Sequence, residues 1–274
     1  MRIGWQALRG LRICLRCLPP DLGSALAYRL PAGWLATPID ATVHLRGHRI
    51  SFRVRSQVDV VQRVVYFTGT YEPAETEFML SRLRPGSVFV DVGANLGYHT
   101  LLAGEAVGPS GRVIAIEPVA SNVAALRSNI SDNGFLNTTV IHCAATAEDG
   151  VARLAGADEG GQTGWGGLDA GGSLVVKGRR LDDLVEQFGV DRVDFLKIDV
   201  EGGEPDVLSG ARHLLNDPLM SGPLMVELNV PRLAARGRRP DDVVELLCQA
   251  GWVDRTPPTL RSSGPVQTRV FERR

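Results

Sequence analysis

A chain of 274 residues, 44% hydrophobic and 22% charged, can bury a sizeable core and is too apolar for a disordered polymer. Four cysteines over that length do not build a disulfide framework, and no run of about 18 apolar residues offers a membrane-spanning helix. The net charge of −1 is unevenly laid out: residues 1–70 carry ten Arg against Asp21, Asp40 and Asp59, which is +7 and leaves −8 for the remainder.

In chain order, Ile3, Leu8, Leu11 and Leu15 recur at near-helical spacing with Arg between them, which predicts an amphipathic helix over 2–18, ended by Pro19-Pro20. Arginine occupies the stretch where a signal peptide needs an unbroken apolar centre, and with the sparse cysteines this predicts a cytoplasmic protein. The helix packs on the core or, alternatively, makes a peripheral membrane contact through its basic residues. Cys14 and Cys17 share one of its faces, but no second Cys or His pair completes a zinc set. TVHLRGHRISFRV, between about 41 and 55, alternates around Gly47 as a hairpin does. Residues 1–70 thus read as an N-terminal extension to a domain over 71–274. A helix is predicted from Glu75 to Leu83, closed by Pro85-Gly86.

SVFVDVGAN, RVIAIEP, TTVIHCAA, VDFLKIDV and GPLMVELN are apolar runs separated by helical segments. That grammar predicts an α/β fold with a parallel sheet covered on both faces. The glycine-rich insert 150–180 reads as short extra strands and a loop. Its Trp165 is placed either to stack on a sugar ring or to fold back onto the core. WVDRT and QTRVFERR predict a late hairpin that adds an antiparallel edge.

Asp91-Val92-Gly93-Ala94-Asn95-Leu96-Gly97 follows the first core strand and precedes a helix, and Glu117 ends the next strand. An acid at that second tip can accept hydrogen bonds from ribose hydroxyls. A dinucleotide fingerprint wants glycine where Asn95 stands, and Asp91 would repel a nearby phosphate. A phosphate-free ligand bearing a sulfonium and an ammonium makes the same carboxylate favourable, which points to S-adenosylmethionine. The alternative is a tight structural turn in which Asp91 caps backbone amides.

YEPAETEFMLSRLRPGSVFVDVGANLGYHT, then RVIAIEPVASNVAALRSNISDNG, then DFLKIDVEGGEPDVLSG resemble the FkbM family of methyltransferases in three blocks over about residues 71–230. The resemblance implies a class I methyltransferase, Rossmann-like doubly wound sheet and O-methylation of a hydroxyl on a sugar, glycolipid or polyketide-type small molecule. It implies that Asp91, Gly93, Asn95 and Gly97, with Ala94, surround the methionine moiety. It also implies that Glu117, with Pro118, faces the ribose. Tyr71 and Glu72 resemble the family's YEP element and either close over the cofactor or cap the following helix. Ala144 and Ala145 are small enough to let adenine approach.

Methyl transfer is an in-line displacement, so alignment of the acceptor oxygen comes first and a base second. Lys197, Asp199 and Glu201 are spaced by two and share a face while the strand stays regular. Asp199 and Glu201 are candidate base or acceptor-binding groups, Asp199 also facing the cofactor; a structural Lys197–Asp199 ion pair is the alternative. Glu227 and Asn229 end another strand, and with Asp199 and Glu201 they would grip sugar hydroxyls or, as the weaker alternative, a magnesium ion. His99 and His142 are each a possible base or a packing residue. There is no Asn/Asp-Pro-Pro-aromatic run for an exocyclic base amine and no Pro-Cys pair for carbon attack on a pyrimidine, and the acidic core argues against a nucleic-acid partner. A homodimer through the extension, a nicotinamide-dependent oxidoreductase and a non-catalytic binding protein are the remaining alternatives.

Overall fold

The structure, a computed structural model, describes residues 5–30, 40–56, 59–156, 167–169 and 171–274. Trp165 and most of its glycine-rich loop lie outside them.

Helix α1 (Trp5–Cys17) buries Leu8 and Leu15, as its spacing predicts. Each fully buried aliphatic side chain contributes roughly 1.5–3 kcal/mol, so these two favour docking of the helix on the body of the protein. Its arginines serve the same docking: the Arg12 guanidinium sits over the Tyr66 ring at 4.6 Å, and Arg16 donates to the His44 carbonyl at 2.8 Å. Helix α2 (Pro20–Tyr28) follows at once, because the proline that cannot continue α1 is well suited to the first turn of the next helix. The two cross closely at Gly23, where a Cβ would stand 2.9 Å from the Leu15 carbonyl oxygen.

Strands β1 (Ala41–His44) and β2 (Ser51–Val54) form the expected antiparallel hairpin. Helix α3 (Val60–Thr68) is buried at every residue; Asp59 caps its start by accepting from the Gln62 amide at 2.8 Å, and Gly69 ends it in the left-handed region. Helix α4 (Pro73–Arg82) begins two residues before its predicted start.

The main body then runs β3 (Val88–Val92), α5 (Tyr98–Val107), β4 (Arg112–Glu117), α6 (Ala120–Asp132) and β5 (Thr138–His142). Next, β6 (Ala144–Ala145), which precedes the insert, joins the insert's β7 (Gly150–Ala155), β8 (Gly167–Leu168) and β9 (Leu174–Arg179) in a small second sheet. After α7 (Leu181–Gln187) come β10 (Phe195–Ile198), α8 (Glu204–Ser209), α9 (Arg212–Asn216), β11 (Leu224–Asn229), α10 (Val230–Ala235), α11 (Pro240–Gln249), β12 (Trp252–Asp254) and β13 (Val266–Arg273).

Among the described residues the principal sheet has the order β12-β13-β11-β10-β3-β4-β5. Its central strands are parallel, and β13 runs antiparallel between β11 and β12. Both faces are covered. Val90 and Val92 join one apolar cluster with Leu196 and Trp252, while Phe89 joins the other with Phe195 and with Leu8, Phe52 and Phe67 of the extension. The chain order reverses between β3 and β10, and the crevice outside the carboxyl ends of strands at such a point is where doubly wound sheets bind ligands. Among the described residues no helix is long and apolar enough to cross a membrane.

Candidate active site

The tips of β3, β4, β10 and β11 open into a cavity of about 720 Å³. Tyr71, Glu72, Asp91, Gly93, Ala94, Asn95, Glu117, Pro118, Ala144, Asp199, Glu201 and Glu227 all line it. Gly97 does not. It caps α5 with φ +92°, and a Cβ there would run into the Leu126 side chain, so its glycine serves helix packing. Gly93 is the position where the backbone must come close: φ is +87°, and a Cβ would run into the Asp199 carbonyl oxygen on β10's continuation. Gly93→Ala is therefore expected to separate the two strand tips, lowering the melting temperature by several degrees and weakening cofactor binding. Thermal denaturation with and without S-adenosylhomocysteine reads both effects.

Three non-glycine residues have positive φ among the described residues: Glu72 at 44°, Asn95 at 50° and Glu201 at 55°. All three line the cavity. Such conformations persist where the surroundings over-determine them, commonly at functional sites. At Asn95 the turn is fixed by its amide donating to Glu117 Oε2 at 2.9 Å. Glu117 Oε1 accepts from the Val119 amide at 2.9 Å and from Asn122 at 3.2 Å, so the carboxylate predicted to face ribose also braces the glycine turn. Asp91 accepts from the Thr100 hydroxyl at 2.6 Å through Oδ2, while its Oδ1 is buried with no partner. Asn95 Oδ1 is buried without a hydrogen bond as well, and Glu72 Oε2 is buried with His99 Nε2 at 3.8 Å. Leaving buried polar atoms without a hydrogen bond is costly, and an oxygen acceptor of this kind is open to an N–H donor of a ligand.

The charge balance points the same way. Lys197, 3% exposed, donates to Asp199 Oδ2 at 2.9 Å. Burial opposes its charge, but Asp199, Asp91, Glu72 and Glu227 outweigh that and hold its ammonium above the usual lysine value. One cation does not balance these carboxylates. Burial, with Asp199 and Glu75 adding to it against Lys197, pushes Glu72 to about 8. Burial followed by the charges of Asp199 and Glu72 raises Glu227 well above the carboxylate range. Glu201 is pushed to about 7 by burial and Asp199. It is not on the strand face expected for it: β10 ends at Ile198, and Glu201 turns back in the left-handed region to accept from Asn229 Nδ2 at 2.5 Å, with Arg232 Nε at 3.6 Å.

Asp199 Oδ2 is thus held by Lys197, and Glu201 Oε2 by Asn229 with Arg232 beside it. Among the described residues no group of three or more His, Cys, Asp or Glu is arranged to hold a metal ion. Of the histidines, His142 is exposed beside the Pro118 carbonyl and outside the cavity lining. His99 lines the cavity, yet burial and then Lys197 lower it well below the usual imidazole value, making it a poor proton acceptor. Pattern reading did not single out Ser24, Ala25 and Tyr28 of α2 or Val60, Val61 and Val64 of α3, which also line the cavity.

A pH dependence follows. Glu117 and Glu201 are raised to about 7, and Glu72 and Glu204 to about 8, in each case first by burial. An acid whose folded value is raised above its unfolded one contributes stability that is present at low pH and lost as pH climbs through the folded value. The ligand-free protein is expected to melt several degrees lower at pH 9 than at pH 6, with S-adenosylmethionine offsetting part of the loss. A melting temperature that rises across that window would contradict the buried-acid account.

The parallel sheet with its antiparallel β13 and the glycine turn at the switch point define a class I methyltransferase fold. Residues 91–252 match the methyltransferase FkbM domain, and the chain belongs to that family. It is 31% identical over 159 residues to the 31-O-demethyl-FK506 methyltransferase FkbM of Streptomyces tacrolimicus, covering 47% of this chain and 60% of that protein. To the hexuronic acid methyltransferase AglP of Haloferax volcanii it is 26% identical over 221 residues, 81% of this chain and 84% of that one. To the AMB antimetabolite synthetase AmbE of Pseudomonas aeruginosa it is 25% identical over 247 residues, 75% of this chain but 11% of that much longer protein.

Proposed function

We propose that the protein transfers a methyl group from S-adenosylmethionine to a hydroxyl of a small-molecule acceptor of sugar, glycolipid or polyketide type. The observation that carries this reading is the cluster of buried acids around Lys197, with Asp91 Oδ1 and Asn95 Oδ1 left without hydrogen-bond donors. In this reading Asp91, Glu72 and Asn95 hold the methionine end of the cofactor, Glu117 and Pro118 lie beside the ribose, and Ala144 leaves room for adenine. The bound cofactor supplies an electrophilic methyl group on its sulfonium. Tyr71 and Glu72 close that end of the cavity.

The remaining work is to set and deprotonate an alcohol. Lys197 neutralises Asp199, and Asn229 and Arg232 orient Glu201 as an acceptor-binding group. Glu227, raised above the usual carboxylate value and so a stronger proton acceptor once ionised, receives the hydroxyl proton. The names of FkbM and AglP, one a methyltransferase of 31-O-demethyl-FK506 and one of a hexuronic acid, favour an oxygen acceptor on a comparable compound. Calorimetric titration with S-adenosylhomocysteine tests the first half: no binding to the folded protein would overturn it. Incubation of S-adenosylmethionine with panels of glycosides and polyketides, read by mass spectrometry, tests the second through gain of one methyl.

A further inference from the structure

The cavity continues past the strand tips onto a wall that the sheet does not supply. Its residues Ala25 and Tyr28 come from α2, and Val60, Val61 and Val64 from α3, all outside the segment 91–252 that carries the family match. Position on the helix explains why α2 turns this face inward. Gly23 and Ala27 are buried, Gly23 against Leu15 and Thr68, which leaves Ser24, Ala25 and Tyr28 toward the opening.

The wall is nearly all apolar, in contrast to the acidic strand tips opposite. One buried polar atom interrupts it, Ser24 Oγ, which has no hydrogen-bond partner. Tyr28 marks where the wall meets the acids: burial first, then the charges of Glu72, Glu201 and Glu227, raise its phenol above the usual value. It is also 54% exposed, so the wall reaches the surface of the protein there. Ala25, Tyr28 and the α3 valines thus form an apolar track from the acid cluster to the cavity mouth. A mostly apolar wall with a few convergent polar groups is what a ligand-binding cavity presents.

We propose that the extension is the acceptor-recognition element and that the acceptor is an amphiphile. Its reacting hydroxyl is set among Glu201, Glu227 and Asn229, and its apolar body lies along Ala25, Tyr28 and Val61. Ser24 Oγ meets a polar atom of that body near the hydroxyl. This rests on the methyltransferase reading and narrows it, since a free sugar would leave the α2–α3 wall wet and the track unused.

The test compares octyl β-glucoside, kept below its micelle concentration, with methyl β-glucoside, which has the same head group and almost no chain. Titrations use the full chain, with and without S-adenosylhomocysteine. The octyl compound is expected to bind at least tenfold more tightly, by burial of its methylenes. Ala25→Asp, which puts a charge on an exposed helical position in the track, is expected to abolish that preference. Tyr28→Ala is expected to reduce it. Both variants should still bind S-adenosylhomocysteine, which reports that they are folded. Equal affinity for the two glucosides, or an octyl preference intact in both variants, would overturn the proposal. Failure of the unaltered chain to bind S-adenosylhomocysteine would overturn the methyltransferase reading instead, and the glucoside comparison is read independently of it.

Discussion

Glu227→Gln is expected to lower kcat by about 10²–10⁴, the range that a positioned general base contributes, while S-adenosylhomocysteine affinity changes little. The substitution keeps the side chain's size and removes its ability to take a proton. The pH profile separates this role from a structural one. A carboxylate accepts a proton only when ionised, so activity rises with pH through the base's own value. Because burial and the charges of Asp199 and Glu72 raise Glu227, that rising limb is displaced upward from the ordinary acidic range. In Glu227→Gln the limb should vanish with the rate. Glu201→Gln offers the contrast: Glu201 is tied to Asn229 and Arg232, so its loss should raise KM for the acceptor more than it lowers kcat. Full turnover with an unchanged pH limb in Glu227→Gln would place the base elsewhere.

How legible this site was depends on which physical signal placed each residue. The strands of the sheet announce themselves as continuous apolar runs because they are buried on both faces. The turn at Asp91 is readable because Gly93 meets a backbone requirement that nothing but glycine fulfils. By contrast VVQRVVYFT, rich in β-branched residues, has the composition of a strand. It forms α3 because Asp59 and Gly69 cap it and because burial at all nine positions outweighs propensity. Its valines, and with them half of the apolar wall, were therefore invisible to periodicity. Helix α2 was hidden behind Pro19-Pro20, which signals an end as readily as a beginning. Gly97 looked like part of a ligand loop, and its neighbour Leu126 belongs to a helix 29 residues away in sequence that no local pattern connects to it. Glu201 kept its place in the cavity but lost its strand, since the left-handed turn after Ile198 breaks the two-residue alternation on which its orientation was inferred.

Asp91→Asn is expected to weaken binding of S-adenosylmethionine and S-adenosylhomocysteine by about 10²–10³ without destabilising the ligand-free protein, and the second half of that statement is what makes the first informative. Breaking one partner of a buried charged pair costs about 3–5 kcal/mol, and the pair at issue is the one Asp91 Oδ1 would form with a cationic ligand. In the ligand-free protein the situation is reversed. Asp91 is 1% exposed, burial raises it, and its Oδ1 has no partner, so its charge is a cost relieved only in part by Thr100 and Lys197. Asparagine can still accept from the Thr100 hydroxyl, and Lys197 keeps Asp199 at 2.9 Å. The melting temperature without ligand should therefore hold or rise, while the ligand-induced increase shrinks to near zero. Were Asp91 only a structural brace for the turn, the opposite pattern would appear: a lower melting temperature without ligand and a binding constant little changed.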